Sequence, residues 1–176
     1  RHPHYNEIMD CLDVNWVKFL MSLDILPVPL SLAPASTAGK IWETHQLDGL
    51  ILSGGNTLVE FADTSDESEN VSMERDAYEK ALLGTALSSG KPILGVCRGL
   101  QIINSYYNGQ LSKIKGHAGT RHRLVTENLT TTFRFPAEVN SFHNYAIPRR
   151  LLGEELIPLA HDDEGNIEAF HHAKDK

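Results

Sequence analysis

The chain predicts an α/β fold: a three-layer sandwich whose central sheet, mostly parallel, lies between helices, with β-rich structure added after Gly109. Three observations carry this. Two continuous apolar runs, Gly49 to Ser53 and Pro92 to Val96, have the pattern of strands covered on both faces. A helical stretch separates them, and strands alternating with helices argue a parallel sheet sandwiched by helices. Beyond Gly109 the rhythm changes to short β-rich pieces separated by polar turns.

Taken in order, Leu12, Trp16, Phe19, Leu20 and Leu23 recur at helical spacing from about position 6 to 24, with Asp10, Asp13 and Lys18 on other faces. This predicts an amphipathic helix laid on the sheet, with Cys11 a packed thiol at its start. Ile25-Leu26-Pro27-Val28-Pro29-Leu30 is apolar but interrupted by prolines, which suits an edge strand or an extended connection. A loop to about position 39 and a short helix around Ile41 to His45 lead into the Gly49 to Ser53 strand and its Gly54-Gly55 loop. Asp63 to Asn70 is acidic without large apolar residues and reads as a mobile surface loop rather than a cation site. Ser72 is the expected N-cap of a helix running to about Ser88, stopped by Gly90. The Pro92 to Val96 strand precedes a helix from Arg98 to Tyr107. Short strands are expected at Leu111 to Ile114, Arg123 to Thr126, Thr131 to Phe135 and Val139 to Ser141. Ile157 to Ala160 and Ile167 to Phe170 read as a hairpin across Asp162 to Asn166.

At 176 residues, 41% hydrophobic and 22% charged, the chain can bury one sizeable core, so residues 1–176 are expected to form a single domain. The net charge of −7 and the lack of a dense Lys/Arg cluster argue against nucleic acid as a partner. Arg121-His122-Arg123 reads as a solvated or locally paired patch. Cys11 and Cys97 form neither a disulfide framework nor a metal-ligand pair, which suits a reducing cytoplasm. No apolar run is long enough for a bilayer, and Arg1-His2-Pro3-His4 carries no signal-peptide pattern. A cytoplasmic location with no membrane partner is the expectation.

Lys91-Pro92-Ile93-Leu94-Gly95-Val96-Cys97-Arg98-Gly99-Leu100-Gln101 holds the chemistry. A sharp strand-to-helix turn crowds its flanks, so glycine is needed on each side, and the apex side chain is pushed into a cleft beside the N–H groups that open the helix. Those donors and the helix dipole predict a lowered thiol pKa at Cys97. The plain alternative is a small buried hydrophobe ending a core strand.

Pro92 to Gln101 resembles the cysteine signature of the class I glutamine amidotransferases, and its Cys-Arg-Gly form is most similar to their γ-glutamyl hydrolase branch, which includes γ-glutamyl-γ-aminobutyrate hydrolases. Asp48 to Asn56 resembles that family's second glycine loop, Arg75-Asp76-Ala77-Tyr78-Glu79 its Arg-Asp-x-x-Glu helix start, and Val139-Asn140-Ser141-Phe142-His143 its Asn-Ser-x-His stretch. The resemblance implies a flavodoxin-like sandwich and makes the β-rich structure after Gly109 an insertion. It also implies that Cys97 is the catalytic nucleophile, that backbone N–H groups of Arg98 and of Gly54 or Gly55 form an oxyanion hole, and that Gln101, Asn140, Ser141 and His143 belong to the substrate pocket. A helix-surface role for Gln101 stays open.

Amide hydrolysis by a thiol also needs a base and an acid that orients it. The family takes these from a His-x-Glu pair on a strand after a hairpin that Asn166-Ile167-Glu168-Ala169-Phe170 resembles. No positions here match that pair or the family's first strand, so a chain truncated at both ends is expected. His143 is assigned to the pocket rather than to the base. His117 and His122 are taken to shape the pocket or its surface. Metal binding by the histidine pairs is judged weak because no carboxylate stands at ligand spacing, and no metal or organic cofactor is expected. The implied activity is Cys-dependent hydrolysis of a γ-glutamyl amide through a thioester. Its partners would be a small γ-glutamyl substrate such as glutamine, a synthetase receiving ammonia, and a second copy of the chain in a homodimer. A non-catalytic glutamine-binding or docking module is the alternative, and an α/β-hydrolase with a cysteine elbow fits the Ser53-Gly54-Gly55 loop less well.

Overall fold

The computed structural model describes residues 9–66, 69–127 and 133–174. Helix α1 (Val14–Met21) begins where the Asp13 carboxylate accepts a hydrogen bond from the Asn15 N–H at 2.8 Å. It ends at Ser22, and Asp24 takes a φ of 58°. The helix is therefore much shorter than the spacing of its apolar residues predicts, and residues 6–8 of that prediction lie outside the described residues. Its apolar face is not laid on a sheet. Leu20 is buried, whereas Phe19 and Leu23 are each 54% exposed, because Leu12 and Leu23 fall outside the helix and no longer share its face. Cys11 is exposed rather than packed, since it precedes the helix. Ile25 to Leu30 is an unpaired connection, as its two prolines allow.

A 3-10 turn (Ala35–Thr37) opens helix α2 (Ala38–His45), which delivers Trp42 to the core. Strand β1 (Leu50–Leu52) follows, with Leu50 and Leu52 buried. Helix α3 (Met73–Ser88) starts at Ser72, whose Oγ accepts from the Arg75 N–H at 3.2 Å. Its Tyr78, Leu82, Leu83 and Ala86 make one buried stripe. Strand β2 (Ile93–Gly95) pairs parallel with β1, Leu50 opposite Ile93 and Leu52 opposite Gly95. Helix α4 (Arg98–Tyr106) then covers the pair with Ile102. Both sides of β1 are partly or wholly covered, but Leu94 of β2 is 49% exposed. Among the described residues, parallel strand pairing joins β1 and β2, with one further parallel bridge between Thr57 and Val71.

Everything after α4 pairs antiparallel: β3 (Ser112–Lys113), β4 (Ala118–Arg123), β5 (Val125–Thr126), β6 (Glu138–Phe142), β7 (Tyr145–Ala146), β8 (Leu156–His161) and β9 (Ile167–His172). The expected Arg123 to Thr126 strand is divided at buried Leu124, and β4 is an addition with no apolar alternation to announce it. Phe133 to Phe135 forms no strand, and Thr131 and Thr132 lie outside the described residues. The β8–β9 turn is held by Asp162, which is 1% exposed and accepts from the N–H groups of Glu164 (2.9 Å) and Asn166 (2.8 Å) and from Asn166 Nδ2 (2.8 Å).

The acidic stretch read as an unattached loop is pinned. Lys113 Nζ from β3 lies 3.4 Å from Asp63, 3.3 Å from Asp66 and 2.8 Å from Glu69, and the Tyr145 hydroxyl donates to Glu69 at 2.7 Å. The lysine that gathers these carboxylates comes from a distant strand, so local composition could not reveal it. Arg121 pairs with Glu138 and Arg123 with Asp163, while the ring of His122 between them is half-buried.

Candidate active site

The turn from β2 into α4 is as tight as its glycines require. The Val96 N–H donates to the Leu52 carbonyl at 2.8 Å, Cys97 takes a φ of 56° and a ψ of −108°, and the helix begins at the next residue. A Cβ at Gly99 would overlap the Leu52 carbonyl oxygen, and one at Gly95 would lie 2.5 Å from the Gly99 carbonyl oxygen. Both positions therefore exclude side chains. Arg98 and Gly99 are buried, yet Cys97 between them and the strand is exposed at the apex.

Two electrostatic influences oppose each other at the thiol. Burial by the surrounding cleft pushes the Cys97 pKa up, the backbone N–H of Arg98 works the other way, and the charge of Glu168 pushes it up again. The net direction is upward, which corrects the expected thiolate. A single amide at the start of α4 does not outweigh lost hydration plus a nearby carboxylate.

The glycine loop after β1 stands against the nucleophile's turn. A Cβ on Gly54 would sit 3.6 Å from Cys97 Cβ and 3.8 Å from its Sγ. Arg75 holds this loop, donating from Nη2 to the Gly54 carbonyl at 3.1 Å, from Nη1 to Asn56 Oδ1 at 3.0 Å and from Nε to Glu79 Oε1 at 2.7 Å. Its guanidinium occupies the place a side chain at Gly55 would need. The other Glu79 oxygen accepts from Arg98, whose guanidinium also donates to Asp76, and Asp76 accepts from the Val59 N–H at 2.8 Å. The Arg-Asp-x-x-Glu spacing thus places three side chains of α3 where they brace both turns. Sequence reading matched that motif to the family without assigning it this task, and it gave Arg98 only a backbone role.

Cys97 lines a cleft of about 70 Å³ together with Gln101, His143, Tyr145, Ile167 and Glu168. Pockets that enclose drug-sized ligands measure roughly 300–1,000 Å³, so this one admits the end of a side chain. Gln101 Nε2 and His143 Nδ1 both donate to the Tyr145 carbonyl, at 2.9 and 3.0 Å. His143 Nε2 faces Glu168 Oε1 at 3.4 Å. Burial opposes protonation of His143, but Glu168 and the Tyr145 carbonyl outweigh it, and its pKa is raised. Ser141 is buried with an unpartnered Oγ, and Asn140, one residue earlier on β6, is exposed; neither lines the cleft. Glu168 enters from the β8–β9 hairpin, a placement that depends on strand register and was not expected.

His117 and His122 gather at His143, with ring centroids 5.3 Å apart for His117–His122, 5.4 Å for His117–His143 and 6.5 Å for His122–His143. One ligand atom from each of the three histidines and from Glu168 lies within 4.8 Å of the others. The carboxylate missing from the local spacing is supplied by tertiary structure.

Comparison with known proteins matches residues 1–176 to the Peptidase C26 family. Similar proteins include a gamma-glutamyl-CDP-amidate hydrolase from Campylobacter jejuni, 36% identical over 96% of this chain and 76% of its own length. The glutamine-hydrolyzing component of a GMP synthase from Methanococcus maripaludis is 26% identical over 86% of this chain and 71% of its own. The crystal structure of a glutamine amidotransferase from Thermotoga maritima superposes with a TM-score of 0.61 at 14% identity, covering 90% of this chain and 65% of that one. At that identity the likeness concerns the fold, an α/β class I glutamine amidotransferase architecture. With the glycine-bracketed cysteine turn, its facing glycine loop and a family match over the whole sequence, this chain belongs to the Peptidase C26 family of class I glutamine amidotransferase-like proteins.

Proposed function

We propose that the chain catalyses Cys-dependent hydrolysis of a γ-glutamyl amide within a sandwich whose sheet is mostly parallel and whose antiparallel strands after α4 form an insertion. The observation that carries this is the exposed Cys97 sulfur, at a left-handed apex, beside the Arg98 N–H and within van der Waals reach of a Gly54 side-chain position. Sγ attacks the γ-carbonyl carbon, and the N–H groups of Arg98 and of Gly54 or Gly55 stabilise the oxyanion. The C–N bond breaks, the amine departs with a proton, and a thioester remains. Water then cleaves the C–S bond, leaving a γ-carboxylate and the free thiol. His143, Gln101, Asn140 and Ser141 are assigned to substrate binding, and the family resemblance assigns proton transfer to a His-x-Glu pair outside these positions.

The gamma-glutamyl-CDP-amidate hydrolase relative supports a γ-glutamyl compound as substrate, and the GMP synthase relative supports ammonia delivery to a synthetase partner. A second reading, a glutamine-binding or docking module without turnover, is favoured by two observations: the raised thiol pKa at Cys97, and His143 Nε2 facing Glu168. Intact-mass analysis after incubation with a glutamine-mimicking electrophile, paired with an ammonia-release assay, separates the readings. The enzyme gives one adduct, absent in Cys97→Ser, together with ammonia. An adduct without ammonia supports the module, and no adduct at Cys97 overturns both.

A further inference from the structure

We infer that His117, His122, His143 and Glu168 form a binding site for one divalent transition-metal ion of the zinc class, beside the Cys97 cleft. Three neutral imidazoles and a carboxylate are the donor set such an ion prefers, and the geometry fits. A tetrahedral ion with bonds of about 2.0–2.1 Å has ligand-to-ligand edges of about 3.3 Å. Glu168 Oε1 lies 3.4 Å from His143 Nε2 and 3.6 Å from His122 Nε2.

Hydrogen bonds to the far side of the rings fix where their lone pairs point. A carbonyl can only accept, so His143 Nδ1 donates to Tyr145 O at 3.0 Å and His122 Nδ1 donates to Arg123 O at 3.1 Å. In the neutral rings both Nε2 atoms are then acceptors aimed at the same carboxylate oxygen, and both are buried without a hydrogen-bond partner. His117 is arranged alike: Nδ1 is buried and unpartnered, while Nε2 lies 3.9 Å from Asp162 Oδ2, whose carboxylate is locked by the β8–β9 turn. A carbonyl or carboxylate on the second ring nitrogen is the usual setting of a metal-bound histidine. Protonation does not remove the conflict. One proton satisfies one edge of the cluster and leaves the remaining buried acceptors unpaired, whereas three imidazolium ions at these separations would share a single carboxylate. One cation relieves every edge at once.

The test uses the chain after dialysis against a chelator, titrated with zinc chloride by calorimetry and with cobalt chloride by visible absorption. One equivalent of zinc is expected to bind, and cobalt to give the intense bands of a four-coordinate site. His122→Ala should weaken zinc by more than the roughly 10–100-fold that follows loss of an outer-shell partner, and the near-isosteric Glu168→Gln repeats the test should His122→Ala fail to fold. His45→Ala, at an exposed histidine of α2, is the control. Absence of stoichiometric binding, or binding that survives both ligand substitutions unchanged, overturns the site. Cys97 is not among the ligands, so binding persists in Cys97→Ser, and failure here leaves the labelling outcome at Cys97 unaffected.

Discussion

The guanidinium of Arg98, 1% exposed, closes on the carboxylate of Glu79 immediately behind the amide that faces the Cys97 sulfur. Asp76 accepts from the same guanidinium, so Arg98→Met strips two largely buried carboxylates of a partner. Breaking one side of such a pair costs about 3–5 kcal/mol. A urea midpoint lowered accordingly is expected, and a loss under about 1 kcal/mol would show that the pair does not hold the turn.

Gly99→Ala puts a methyl group onto the Leu52 carbonyl, an obstacle made of backbone. Overpacking of this kind costs about 1–3 kcal/mol or more. Thermal denaturation should show the loss, while Gly116→Ala, which meets nothing within 4 Å but sits at a φ of 83°, pays only for its backbone angle.

Alkylation of Cys97 by iodoacetamide, measured with chelator present, should accelerate with pH around a midpoint above the ordinary thiol value of about 8.5. The sign follows from the cause: a raised pKa means less thiolate at neutral pH. Glu168→Gln removes one upward influence, so its midpoint should move down. A wild-type midpoint below about 8 contradicts the electrostatics described.

Glu69 has a lowered pKa, chiefly through its hydrogen bond from Lys113 and next through that from Tyr145. A carboxylate depressed in the folded state contributes stability that is present above its unfolded value of about 4.3 and is lost as pH falls through the folded value. Melting temperature should therefore drop below about pH 4, and Lys113→Met should flatten that drop. Parallel profiles for the two proteins would exclude this linkage.

Apolar runs and glycine positions made β1, β2, α3, α4 and the Cys97 turn legible, because each is fixed by interactions within a few residues. Ser72 caps α3 and Gly90, at a φ of 62°, follows its end for the same local reasons. What could not be read depends on partners far along the chain. Lys113 is 44 residues from Glu69, and Glu168 reaches His143 and His122 only once the β8–β9 register is set. Strand β4 is mostly exposed and polar, so periodicity is silent about it. The thiol pKa was misjudged because a helix start is visible in sequence, whereas the crowding that dehydrates the sulfur is a property of the assembled cleft.

Cys97 occupies a backbone angle that penalises every residue with a Cβ, a strain of about 1–3 kcal/mol. Glycine at this position would relax it, so the sturdier protein is the one without the sulfur. Drift toward robustness alone would thus erase the reactive atom, and a library screened only for heat resistance should discard it early.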